Sequence, residues 1–132
     1  MLALLASVAG LAISVYLTVV HFATIPLACP ANAVVNCEQV LTSPYAVIAG
    51  TALPTSAAGI VWFAISAGLA LSRRRRALLA WASIGLAAAL FLVYVEIVQL
   101  GAVCIWCTAA HAMVLLIFLI ALMPPEGDRV ST

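Results

Sequence analysis

Lysine is absent from this sequence, and charge of either sign is scarce: five arginines and four carboxylates are all that 132 residues carry. A soluble domain is about a quarter charged, against 7% here. So few charges cannot cover a water-facing surface. No basic stripe interleaved with aromatics is present, which removes nucleic acid from the partner classes. No basic segment precedes the first apolar run, so a cleaved signal peptide is not expected. Leu27-Ala28-Cys29 resembles a lipoprotein cleavage site only faintly, and Pro26 fits it poorly. No internal repeat is evident. What remains is a chain that is 67% apolar and long enough for one domain, and the bilayer is the solvent that suits it.

The apolar residues fall into four runs. About 20 helical residues cross the hydrocarbon, and the runs at about 2–22, 55–72, 77–100 and 102–123 each approach that length. Pro124-Pro125 ends the last one. A helix satisfies its own backbone hydrogen bonds in lipid. The expected fold is therefore all-α: a membrane four-helix bundle, with a long extracytoplasmic loop over 24–54 that contains a short half-helix. Gly10, Gly59, Gly68 and Gly85 would let helices approach closely. The loop holds Pro26, Pro30, Pro44 and Pro54, and loops of this length are often functional. Within it the spacing predicts a helix opening at Cys37, with Asn36 as N-cap and Gln39 as its capping-box partner.

Arg73 to Arg76 lie between the second and third runs, so that turn is expected in the cytoplasm. Four spans then put both termini, and Arg129, on the same side. The expected location is the cell (inner) membrane, multi-pass, with all four cysteines at the extracytoplasmic face.

The cysteines occur as Cys29-x7-Cys37 and Cys104-Ile105-Trp106-Cys107. In an oxidising compartment they allow a redox relay, two static disulfides in a non-catalytic scaffold, or a metal site. A C-x-x-C at a helix start favours exchange, because unpaired N–H groups there stabilise thiolate, the attacking species. Cys107 lies nearly one turn deeper than Cys104, beside a medium that dissolves quinones.

These residues together resemble the vitamin K epoxide reductase (VKOR) family: the loop pair Cys29…Cys37, Ser43 six residues later, Gly59 in the second run, and Cys104-Ile-Trp-Cys107 opening the last. The pair order is opposite to that of the DsbB-like quinone reductases. The resemblance covers most of the chain. It implies four helices around a quinone of menaquinone, ubiquinone or vitamin K type. It implies electrons arriving from a thioredoxin-fold, DsbA-like thiol oxidase at Cys29, passing through Cys37 to Cys104, and leaving from Cys107. Ser43 would hold the relay geometry. Thr55 and His111 fall at the family's polar quinone contacts, and Leu41, Trp106 and Glu96 complete the candidate quinone pocket. Many bacterial members carry a fused thioredoxin-like domain. A prokaryotic homologue without that domain, and hence a separate partner, is expected here. Thr55 and His111 differ from the animal pattern, so a plain quinone serving disulfide formation is expected in place of vitamin K epoxide.

Several residues also have a reading of their own. His111 projects one turn below Cys107 on the same face, and an ionisable residue inside a membrane points to function. It could hydrogen-bond a quinone carbonyl or simply pair with a neighbouring helix. Glu96 could deliver protons or pair with Tyr94, Tyr16 or a serine. Trp106 is expected at the pocket mouth. His21 marks the end of the first span, Trp62 and Trp81 read as packing or belt residues, and Glu38 as a solvated first-turn acid.

Overall fold

The apolar runs fold as helices. The computed structural model describes residues 1–124, and among these the regular elements are all helical. Arg129, Glu126 and Asp128 lie outside the described residues. Helix α1 covers Leu2–Ala23, α2 Cys37–Leu41, α3 Thr55–Leu71, α4 Arg75–Tyr94 and α5 Ile105–Leu122. Helix α4 continues without a break into a π-helical turn, Val95–Leu100. Three of these stretches, Leu2–Ala23, Arg75–Leu100 and Ile105–Leu122, are long and apolar enough to cross a membrane. Helix α3 is equally apolar in character and shorter, at 17 residues.

Helix α1 packs on α3 and α5, and α4 packs on α5 and α3. The face that α1 buries is made of small residues: Ala3, Ala6, Ser7, Gly10 and Ser14, followed by Leu17 and Val20. Its opposite face exposes Leu2, Leu5, Val8, Val15, Val19 and Phe22. This inverts the pattern of a soluble helix. Helices that are apolar all round gain little from burial when their surroundings are also apolar, and close van der Waals packing holds them instead. Three glycines allow it. A Cβ on Gly10 would overlap the Phe63 ring, one on Gly85 would overlap the Trp62 ring, and one on Gly59 would lie 2.7 Å from Ser14 Oγ. Gly68 has nothing near it, so the expected contact there does not form. The Thr18 and Ser56 hydroxyl oxygens, 2.9 Å apart, add a polar tie between α1 and α3.

The two ends of the helices differ in chemistry. At one end, Arg75 of α4 donates from Nε to the Ala121 carbonyl at 3.0 Å and from Nη2 to the Leu122 carbonyl at 2.8 Å. A cation thus caps the open carbonyls where α5 finishes. The other end carries the loop and the cysteines. There Gly101, with φ 61°, ends the π-helical turn in a left-handed conformation that glycine adopts without strain.

The loop is tied to the start of α5. Val35 and Val103 form an isolated parallel bridge, made by the neighbours of Val35: the Val103 N–H donates to the Val34 carbonyl at 2.9 Å, and the Asn36 N–H to the Val103 carbonyl at 3.1 Å. Asn36 then caps α2, its Oδ1 accepting the Gln39 N–H at 3.1 Å. The reciprocal half of the expected capping box does not form. The Gln39 side chain instead donates to the Leu100 carbonyl at 3.0 Å, one of the carbonyls left open where the π-helical turn ends.

Candidate functional site

Two cysteine pairs meet where α2, the π-helical turn and α5 converge. Cys29 and Cys37 form a disulfide, with their Cα atoms 6.3 Å apart. Cys104 and Cys107 are free thiols. Cys37 and Cys104 are both fully buried and belong to one apolar cluster with Val40 and Ala102, against which Cys29, Cys107 and Trp106 pack. The two pairs are therefore neighbours at one apolar cluster although 67 residues of sequence separate Cys37 from Cys104.

Cys104 is the N-cap of α5. Its sulfur accepts the Cys107 N–H at 3.3 Å, in the position a serine or aspartate oxygen takes at other helix starts. An N–H aimed at sulfur stabilises negative charge on it. The backbone of Cys104 is held as well: its own N–H donates to Glu96 Oε2 at 3.0 Å. Glu96 is 5% exposed, and a carboxyl so buried needs such partners. Its Oε1 lies 4.0 Å from Nδ1 of His111. Sequence reasoning offered Tyr94, Tyr16 or a serine as partners for Glu96, and the structure corrects this to the Cys104 backbone and His111. The π-helical turn is the reason. It rotates Glu96 off the path an α-helix would give it and turns its side chain toward the start of α5, a placement frequent at functional sites.

Directly below the cysteines a cavity of about 270 Å³ opens between α1, α3, α4 and α5. Its wall is mostly apolar, with Leu17, Phe63 and Ala89 among its members. Leu41, Ser43, Thr55, Glu96, Cys107 and His111 also line it. The structure thus brings these candidate residues to one space. Ser43 donates its hydroxyl to the Val40 carbonyl at 2.7 Å, which closes the end of α2 against the cavity. Thr55 donates its hydroxyl to the Tyr45 carbonyl at 2.9 Å. Nδ1 of His111 is buried and has no hydrogen-bond partner.

Trp106 stands elsewhere. It does not line the cavity. Its indole N–H donates to the Ala28 carbonyl at 2.9 Å, and its ring lies 4.9 Å from that of Tyr16, tilted by 55°. The expected place at the pocket mouth is corrected to a contact with the loop just before Cys29. Trp62, which the sequence marks only as a packing or belt residue, lines the cavity. Tyr16, expected only as a partner for Glu96, touches the loop instead, and Val103, which also touches it, gives no sequence signal, because a valine in an apolar run is unremarkable.

A disulfide, a partly buried dithiol beside it and an apolar cavity under the dithiol define a helical thiol–disulfide protein with a lipophilic binding space. The chain belongs to the vitamin K epoxide reductase family, whose family model matches residues 1–122 of the 132. Comparison with curated proteins gave no match. Membership marks the chain as an oxidoreductase of a membrane-associated, quinone-linked family.

Proposed function

We propose that this protein is a quinone-dependent thiol oxidase, spanning the membrane four times, that regenerates disulfides for a separate thioredoxin-fold partner. The observation that carries this is the stacking of three elements: the Cys29–Cys37 disulfide, the Cys104/Cys107 dithiol packed against it, and the cavity wall to which Cys107 contributes. Helix α3, at about 1.5 Å per residue, reaches roughly 26 Å, close to the thickness of a hydrocarbon core. The arginine turn at one end and the cysteines at the other support cytoplasmic termini and extracytoplasmic cysteines.

The relay runs as two thiol–disulfide exchanges. A partner dithiol reduces Cys29–Cys37, its first thiolate attacking the half-exposed Cys29. With the inner pair oxidised, the Cys37 thiolate attacks Cys104 Sγ. The Cys37–Cys104 bond forms, the Cys104–Cys107 bond breaks, and Cys107 leaves as a thiolate. Cys29 then attacks Cys37 Sγ, which restores the outer disulfide and releases Cys104. Two electrons have moved from the outer pair to the inner pair.

The cavity fits a quinone head group. Its volume is near the roughly 300 Å³ lower bound of small-molecule pockets, and its apolar wall with a few polar groups is their usual make-up. The unpartnered Nδ1 of His111 at that wall leaves this imidazole's hydrogen-bonding capacity in the pocket unspent. A quinone bound there supplies a two-electron, two-proton acceptor for the inner dithiol. Leu41 and Phe63 would hold the ring, His111 would hydrogen-bond it, and Glu96 would keep Cys104 and His111 in place. Ser43 and Thr55 would fix the loop that roofs the cavity.

The test is turnover by the purified full chain. Supplied with a reduced thioredoxin-fold protein and a quinone, it should form quinol and oxidised partner in equal amounts. A non-catalytic scaffold with two structural disulfides would form neither.

A further inference from the structure

The two cysteine pairs are linked by a regular pattern of hydrogen bonds. Val103, which precedes Cys104, holds Asn36, which precedes Cys37, through the 3.1 Å bond from the Asn36 N–H. Trp106, which precedes Cys107, holds Ala28, which precedes Cys29, through the 2.9 Å bond from its indole. Each residue ahead of an inner cysteine thus anchors the residue ahead of an outer one.

The two anchors are not equivalent. Cys37 opens α2, and its position is fixed further by the Asn36 cap and by the Gln39 bond to Leu100. Cys29 lies on a stretch without regular structure, between Thr24 and Asn36. Around it, both backbone groups of Ala28 are engaged: the carbonyl by Trp106, and the N–H by the Tyr16 hydroxyl at 3.4 Å. The Tyr16 and Trp106 rings pack on each other. With the outer disulfide open, these two bonds to Ala28 would still tether the chain beside Cys29.

We propose that Trp106 is a positioning residue for thiol exchange, acting through the Ala28 backbone to hold Cys29 in reach of Cys37. The proposal rests on the relay described above. It concerns one step: the Cys29 thiolate attacks Cys37 Sγ, the Cys29–Cys37 bond forms, the Cys37–Cys104 bond breaks, and Cys104 leaves as a thiolate. Holding a nucleophile beside its target makes such a step effectively unimolecular. Trp106 takes no part in the step that delivers electrons to the cavity, because it faces the loop.

The experiment follows one reaction cycle of the fully reduced full chain after addition of a soluble quinone. Quinol formation is read by absorbance. The Cys37–Cys104 species is read by acid quench, alkylation and peptide mass. Trp106→Phe keeps an aromatic ring for Tyr16 and removes the donor. It should form quinol at the wild-type rate, while the Cys37–Cys104 species persists roughly two- to tenfold longer, as expected for one lost hydrogen bond. Tyr16→Phe, which removes the acceptor for the Ala28 N–H, should prolong the same species. An unchanged lifetime in Trp106→Phe, or an equal slowing of both steps, overturns the proposal. A wild-type chain that forms no quinol overturns the relay and this proposal with it. Normal wild-type turnover with an indistinguishable Trp106→Phe overturns the proposal alone.

Discussion

Glu96 Oε2 accepts the backbone N–H of Cys104 at 3.0 Å, and the Glu96 main-chain carbonyl accepts the Ala102 N–H at 3.1 Å. One residue therefore shapes the whole turn from α4 into α5 and sets where the inner dithiol begins. The Cys104 N–H is buried, so removing its acceptor leaves a polar group without water or partner. Glu96→Leu should cost about 1–3 kcal/mol of stability, read as thermal unfolding in detergent. Glu96→Gln keeps a carbonyl oxygen in place and should stay within about 1 kcal/mol of wild type. Equal losses in the two variants would mean that the charge of Glu96, and not its hydrogen bond, holds the turn.

His111 reaches the cavity from α5 one turn below Cys107, with Glu96 4.0 Å behind it. His111→Ala should raise the quinone KM roughly two- to tenfold, the worth of one hydrogen bond. Exchange between the outer pair and a partner thiol should be unaltered. Quinone titration with the partner saturating, then the reverse, separates the two. A partner-side defect would remove His111 from the quinone contact.

The glycines give a packing test with an internal control. Gly10→Val forces a side chain into the Phe63 ring, and overpacking of this kind costs typically about 1–3 kcal/mol. Gly68→Ala meets nothing within 4 Å and should leave the melting temperature unchanged or slightly raised, since alanine is the better helix former. Thermal unfolding of both variants in one detergent checks this. A Gly10 variant as stable as the Gly68 variant would contradict the α1–α3 contact.

Much of this was legible in the sequence, for reasons that can be traced to particular residues. The apolar runs were readable because lipid-exposed helices need no alternating pattern, only length. Asn36 was readable as an N-cap because capping is local chemistry, and its bond to the Gln39 N–H forms. The Gln39 side chain was not, because its acceptor, Leu100, is 61 residues away and is freed only by the end of a π-helical turn. That turn itself leaves no periodicity mark in Phe91 to Leu100, where Glu96 and Gln99 are too few polar positions to set a period. It moved Glu96 from its expected neighbours to the Cys104 backbone. Trp106 was assigned to the pocket from its place between the two cysteines. Side-chain direction at the first turn of α5 decided otherwise, sending the ring toward Tyr16 and Ala28. Cysteine order and spacing carried the family, because few arrangements put a loop pair ahead of a C-x-x-C at a helix start.

The central claim is that electrons leave the protein from the Cys104/Cys107 pair into the cavity. Its most direct measurement is a single-turnover oxidation of Cys29→Ser/Cys37→Ser protein, in which only the inner pair remains. The protein is reduced, freed of reductant and mixed with one equivalent of a soluble quinone, and both quinol and free thiols are followed in time. The account predicts one quinol formed for each Cys104–Cys107 disulfide, with the two signals rising at the same rate. Thiols that persist while quinone stays unreduced would contradict it.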